Sequence, residues 1–338
     1  MDIFGIKCET LFRNLSWLVL VILFAGSGCA EYEAYQYLDE AFEHRARRDF
    51  DAALEANRAA VEALPDDAYM RYRLGRSLYA KEMYDDAQLE LERAIELEPE
   101  YISAYLVLAM VFEVQEMSEA AIACLELAIE RVPASSAPYK DLTSYYLVAD
   151  RLDQALTLLK DVDERWPDAT WAQFRLGNLY QRLQQYDEAE KVLRKILEVN
   201  PKSIPRSDPG PGDAYGALGN VFFDKEEFEN AADAYQKAIE LNPRDHNSLN
   251  NLAWVYAMQG IHLDEALRYS RRSLRLSPDR PTYLDTLAEL FFKNGDHDRA
   301  LKIIRYAISL TPENGDPELR DHLQNQLKKF LISGHGKV

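Results

Sequence analysis

Histidines and cysteines are the side chains best suited to metal binding or nucleophilic catalysis, and this chain holds few of either. The histidines are His44, His246, His262, His297, His322 and His335, and the cysteines are Cys8, Cys29 and Cys124. No two histidines stand four residues apart, the spacing that puts a zinc-binding pair on one helix face. The cysteines form no CxxC pair and show no metal-ligand spacing. Cys124 lies in the apolar run Ala120-Ala121-Ile122-Ala123-Cys124-Leu125, where a thiol acts as a small core residue. Glycine loops that cradle phosphate and a GxSxG turn are absent. Asp296-His297-Asp298 reads as an exposed turn between helices. Carboxylates are so numerous that no pair stands out as an acid–base couple. The sequence therefore predicts no catalytic residue, no metal and no cofactor.

Groups that can hold another chain are better represented. An asparagine amide can donate to and accept from a single peptide unit, so several in a row can grip an extended backbone with little sequence preference. Asn178, Asn220, Asn247, Asn250 and Asn251 are such groups. Trp171, Phe174 and Trp254 stand among them and offer apolar contact at modest entropic cost. Arg175 and Arg182 add guanidinium forks suited to carboxylates.

These residues are positioned by a repeat. Pro65, Pro99, Pro133, Pro167 and Pro201 are 34 residues apart, and Pro243, Pro278 and Pro312 follow at intervals of 42, 35 and 34. Twelve residues before each proline stands an alanine: Ala53, Ala87, Ala121, Ala155, Ala189, Ala231, Ala266 and Ala300. Twelve or thirteen residues before most of those alanines comes a leucine followed by a small residue. Examples are Leu74-Gly75, Leu108-Ala109, Leu176-Gly177, Leu218-Gly219, Leu252-Ala253 and Leu287-Ala288, with Leu142-Thr143 a larger version and Glu40-Ala41 a degenerate one. Each unit reads as two antiparallel helices. The small residues allow a close crossing, and the proline ends the second helix. One pair cannot bury its apolar face alone, so neighbours must stack.

This pattern resembles the tetratricopeptide-repeat (TPR) family, whose period is 34. The resemblance implies an all-α solenoid, a right-handed superhelix of about eight antiparallel helix pairs plus a C-terminal capping helix. It also implies that the first helix of each pair lines a concave groove. The expected peptide-binding positions are then Trp171, Phe174, Arg175, Asn178, Arg182, Asn220, Asn247, Asn250, Asn251 and Trp254, with Tyr69, Tyr72, Arg73, Arg76 and Tyr79 in the second repeat. Residues 34–201 hold repeats one to five and 212–312 repeats six to eight. Between them, 202–211 form a Pro-rich insertion. Gly260 marks a one-residue insertion that lengthens a turn. The tail, 313–338, opens with Asp316-Pro317-Glu318, a good helix start, and carries the stripe Leu319, Leu323, Leu327, Phe330 and Leu331.

The net charge of −18 disfavours nucleic acid, whose phosphates such a body repels. Leu15–Ala25 is an apolar run too short to cross a bilayer but of signal-peptide length. Ser27-Gly28-Cys29 after it resembles a bacterial lipoprotein signal. The resemblance implies a signal peptide at 1–28, lipid attachment at Cys29, a short tether at 29–33, and an outer-membrane position facing the periplasm. Ordinary cleavage after Ala30, giving a soluble periplasmic protein, stays open, as does an uncleaved anchor. The expected function is a non-catalytic cell-envelope scaffold for partner proteins or extended peptides. It would serve a pilus, secretion, polysaccharide-export or outer-membrane assembly machine. A regulatory subunit acting in trans on an envelope enzyme, or a self-assembling structural protein, are the alternatives.

Overall fold

The apolar spacing and the prolines both demand helices, and helices are what form. The structure, a computed structural model, describes residues 30–312 and 315–334, which hold seventeen α-helices and no strand. Cys29 and the segment before it lie outside the described residues. The chain divides into two compact units, Met1–Arg151 and Leu152–Val338. In the first, α1 (30–46) is followed by α2 (Phe50–Ala63), α3 (Ala68–Ala80), α4 (Tyr84–Leu97), α5 (Ile102–Val114), α6 (Ser118–Arg131) and α7 (Ala137–Val148). The second holds α8 (Leu152–Arg165), α9 (Thr170–Arg182), α10 (Tyr186–Glu198), α11 (Pro211–Asp224) and α12 (Phe228–Leu241). It continues with α13 (His246–Gln259), α14 (Leu263–Leu276), α15 (Pro281–Lys293), α16 (His297–Ser309) and α17 (Pro317–Gly334). Within each unit, consecutive helices pack as antiparallel pairs, and each pair packs on the next.

All eight periodic alanines are buried, and each marker proline follows the end of a second helix. The close crossing has a sharper form than the alanines alone suggest. A Cβ at Gly177 would lie 2.5 Å from Leu193 Cγ, and one at Gly219 would lie 2.5 Å from the Tyr235 ring. Both partners stand four residues beyond the periodic alanine, one turn further along the same helix face. The small residue thus admits the next side chain of that face, while the alanine lets the backbones approach.

The turn inside each pair carries a feature the sequence hides. Arg48, Glu82, Glu116, Asp150, Gln184 and Glu226 all have positive φ, between 56° and 61°. Within each unit this left-handed backbone reverses the chain between antiparallel helices, although glycine fits it better. Only the last two pairs use glycine here, Gly260 and Gly295. The extra residue of the seventh repeat lies in its turn, where His262 is a second left-handed residue.

The Pro-rich insertion ends one residue earlier than its sequence boundary, because Pro211 is the first residue of α11. Gly210 precedes that helix, and its N–H donates to Asp213 Oδ2 at 2.9 Å. At the other end, Asp316 caps α17 by accepting from the N–H groups of Glu318 and Leu319. Leu323 and Phe330 are fully buried, and Phe330 stacks on Phe292 of α15 at 4.6 Å. The polar side of α17 also reaches α15. His322 Nε2 lies 2.8 Å from Asp285 Oδ2, and Lys329 Nζ lies 2.7 Å from Glu289 Oε2.

Candidate functional site: a polar cleft on three first helices

In the second unit, α9, α11 and α13 are the first helices of successive pairs. The close-packed small residue of each fixes where the following side chain stands. Asn178 follows Gly177, Asn220 follows Gly219, and Trp254 follows Ala253. Around Asn220 the structure forms a cleft of about 170 Å³. It is lined by Gln181 of α9, Asn220, Phe223 and Asp224 of α11, Tyr235 of α12, and Asn251 and Trp254 of α13.

Asn220 is the centre of the hydrogen bonding. Its Oδ1 accepts from Tyr235 Oη at 2.8 Å and from Asn251 Nδ2 at 3.0 Å. Asn250 Nδ2 stands 3.5 Å from Asn251 Oδ1 and extends the chain of amides. With its oxygen doubly occupied, Asn220 presents its Nδ2 hydrogens to the cleft. Burial pushes the Tyr235 hydroxyl above its ordinary range, so it stays a neutral donor at physiological pH. Beside this centre, Gln181 Nε2 donates to Asp224 Oδ2 at 2.7 Å. Phe223 and Trp254 are half-buried and supply apolar walls. The arrangement offers donors, a carboxylate and two aromatic faces in a space smaller than the roughly 300 Å³ or more that encloses a small-molecule ligand. It suits a stretch of polypeptide backbone with one or two side chains.

The other sequence-derived positions distribute differently. Asn178 and Arg182 are exposed on α9, and Phe174 is half-buried there. Asn247 is exposed on α13, and its Oδ1 accepts from Tyr283 Oη of α15 at 2.5 Å. Two residues expected on the groove surface are not there. Trp171 is only 6% exposed, its large apolar ring removed from water, with the Arg175 guanidinium 5.9 Å from the ring centroid. Asn250 is likewise only 6% exposed, its amide turned toward Asn251 inside the packing. Sequence reasoning missed Tyr235, Gln181 and Asp224. Tyr235 carried a signal: the second, third, fourth and fifth repeats have leucine at that place (Leu91, Leu125, Leu159, Leu193), and the sixth has a hydroxyl-bearing ring instead.

Asp296 caps α16 by accepting from the Arg299 N–H, so Asp296-His297-Asp298 is a helix start. Among the described residues no group of three His, Cys, Asp or Glu could hold a metal. Cys124 is buried, and burial pushes its thiol up to about 12. No helix among the described residues is long and apolar enough to cross a membrane.

Comparison with known proteins points the same way as the helix pairs. Models described as tetratricopeptide repeat match residues 38–87, 72–136, 168–244 and 234–268. No curated protein sequence matches the chain. Among solved structures, the hetero-tetramer Cut9–Hcn1 of the APC/C is similar, with a TM-score of 0.57 at 15% identity. That match covers 83% of this chain and 52% of the other, so this chain spans about half of it. Yeast Tom70 is similar with a TM-score of 0.53 at 16% identity, over 98% of this chain and 76% of the other. At these identities the likeness is one of fold.

Proposed function

Since this chain belongs to the tetratricopeptide-repeat family, we propose that it is a non-catalytic scaffold that binds an extended segment of a partner protein in the cleft of α9, α11 and α13. The observation that carries this reading is the double occupancy of Asn220 Oδ1. It holds the Asn220 amide so that its hydrogens meet a carbonyl of the incoming chain, while Phe223 and Trp254 flank the contact. A backbone contact of this kind is tolerant of sequence, and the aromatic walls and Asp224 would set the preference for neighbouring side chains.

The setting we propose is the bacterial cell envelope, with the scaffold held at a membrane through Cys29. Support for it is the Ser27-Gly28-Cys29 ending after the apolar run Leu15–Ala25. In that setting the scaffold would serve assembly of a pilus, secretion, polysaccharide-export or outer-membrane machine. Cys29→Ser should abolish palmitate labelling and release the protein from membranes.

The test of the cleft is the double variant Asn220→Ala with Asn251→Ala. Each amide contributes about 0.5–1.5 kcal/mol net to a complex. Losing both should weaken partner binding by about ten-fold or more. Circular dichroism should stay that of the parent. Unchanged partner capture by the double variant would move the site elsewhere.

A further inference from the structure

Exposed aromatic rings gather at one end of the chain. Among the described residues six aromatic side chains are exposed, and four of them lie within residues 32–50: Tyr32 at 67%, Tyr35 at 48%, Phe42 at 66% and Phe50 at 45%. The other two, Tyr69 and Tyr306, stand apart from one another in the sequence. A ring in water forfeits the gain of burying it, so a cluster of such rings marks a surface that something covers.

The first three share one side of α1. They follow at spacings of three and seven, the period of a single helical stripe, with Asp39 between them. The stripe that packs into the first unit is a different one, Ala34, Leu38 and Ala41. Gln36 Nε2 donates to Tyr32 Oη at 2.8 Å, so that hydroxyl keeps its own hydrogen for an outside acceptor. Phe50 opens α2, just past the turn that ends α1.

Position narrows the choice of what covers these rings. The helix α1 begins at residue 30, so 30–33, expected to lie in a tether, are its first turn. Cys29, the anchoring residue proposed above, is the residue immediately before it. At about 1.5 Å of rise per residue, Tyr32 and Tyr35 stand about 5 and 9 Å along the axis from Cys29, and Phe42 about 20 Å. The headgroup layer of a bilayer is about 5–7 Å deep on each side. An upright helix would carry Phe42 beyond that layer, whereas a helix lying along the surface brings all three rings to it.

We propose that the aromatic side of α1 lies along the membrane surface, with Tyr32, Tyr35 and Phe42 among the headgroups of zwitterionic lipid. This rests on the Cys29 anchor. Aromatic rings suit that layer, since their bodies are apolar and a tyrosine keeps its hydroxyl toward water. The contact adds a second hold to the acyl anchor, and stable anchorage takes two. Charge selects the lipid. The helix and its turn expose Glu31, Glu33, Asp39, Glu40 and Glu43 against Arg45, Arg47 and Arg48, which disfavours an anionic surface. A partner protein on this face would have to displace the bilayer that Cys29 brings alongside it. The face lies in the first unit, outside the Asn220 cleft.

The test places an environment-sensitive NBD dye on Asp39→Cys, within the stripe. The full chain is reconstituted in phosphatidylcholine vesicles that carry a nitroxide at headgroup depth. The dye should emit to the blue of its value in water and lose fluorescence to the nitroxide. That loss should shrink when Tyr32→Ser, Tyr35→Ser and Phe42→Ser are combined in the same chain, with circular dichroism unchanged. It should also shrink when phosphatidylglycerol replaces phosphatidylcholine. The same dye on Gln236→Cys, exposed on α12, should stay in water. Palmitate labelling of Cys29 is read on the same preparation. A chain without that label overturns the anchor and this proposal with it. A labelled chain whose Asp39 dye stays in water, or is quenched no more than the Gln236 dye, overturns this proposal alone. So does quenching that persists in the serine variant or grows in phosphatidylglycerol. A blue-shifted dye that the nitroxide does not quench also overturns it, because protein would then cover the face.

Discussion

Replacing Gly219 with alanine links the packing of the sixth pair directly to its cleft. The added Cβ would sit 2.5 Å from both Cδ1 and Cε1 of Tyr235. Ordinary carbon contacts begin near 3.5 Å, so the ring must retreat by about 1 Å. Tyr235 is almost fully buried and cannot swing into solvent. A retreat of that size along the Tyr235–Asn220 bond would carry it from 2.8 Å out of hydrogen-bonding range. Overpacking costs about 1–3 kcal/mol and the lost bond about 0.5–1.5, while alanine in a helix interior returns about 1. The net expectation is a destabilisation of about 1–3 kcal/mol, read from urea unfolding midpoints. Partner binding should fall with it, because Asn220 is no longer held. Gly177→Ala is the control: its Cβ would meet Leu193, which forms no part of the cleft, so stability should change and binding should not. Equal loss of binding in both variants, or a Gly219→Ala protein more stable than the parent, would refute the reasoning.

Three further outcomes are expected. Glu116→Gly should raise stability by about 1 kcal/mol in urea unfolding, because Glu116 is exposed and holds a left-handed turn at φ 60° that glycine adopts without strain. Burial, the largest influence, raises the Asp285 carboxyl above its usual range even with His322 beside it. The folded chain therefore keeps that proton to higher pH than the unfolded one, and the group's contribution to stability falls as pH rises from about 4 through the raised value. Asp285→Asn should remove that slope, gaining on the parent across the window in unfolding measured against pH. Cys124 should resist alkylation at neutral pH in the native protein and react once unfolded, as mass mapping of the labelled peptide would show.

The paired helices were legible because their markers are steric and periodic. The alanines and the Leu-small steps must recur wherever backbones cross closely, and the prolines wherever a second helix stops. The left-handed turns were not legible, because Arg48, Glu82, Glu116, Asp150, Gln184 and Glu226 are not residue types that announce positive φ. Within the candidate site, Asn220, Asn251 and Trp254 could be placed on one helical side from spacing. Trp171 and Asn250 could not be separated from them, since burial depends on what the neighbouring helices bring against each position. Tyr235 was hidden for the opposite reason. It lies on a second helix, and only the close approach of Gly219 brings its hydroxyl to Asn220.

The central claim is that a partner chain lies in the Asn220 cleft, and site-specific photocrosslinking in the native host tests it most directly. A benzoylphenylalanine placed at Trp254, on the wall of the cleft, should crosslink a discrete partner, and Asn220→Ala with Asn251→Ala in the same chain should abolish the adduct. The same probe at Gln236, exposed on α12 and not among the residues that line the cleft, should give none. An adduct at Gln236 with none at Trp254, or one at Trp254 that survives loss of both asparagines, would contradict the account.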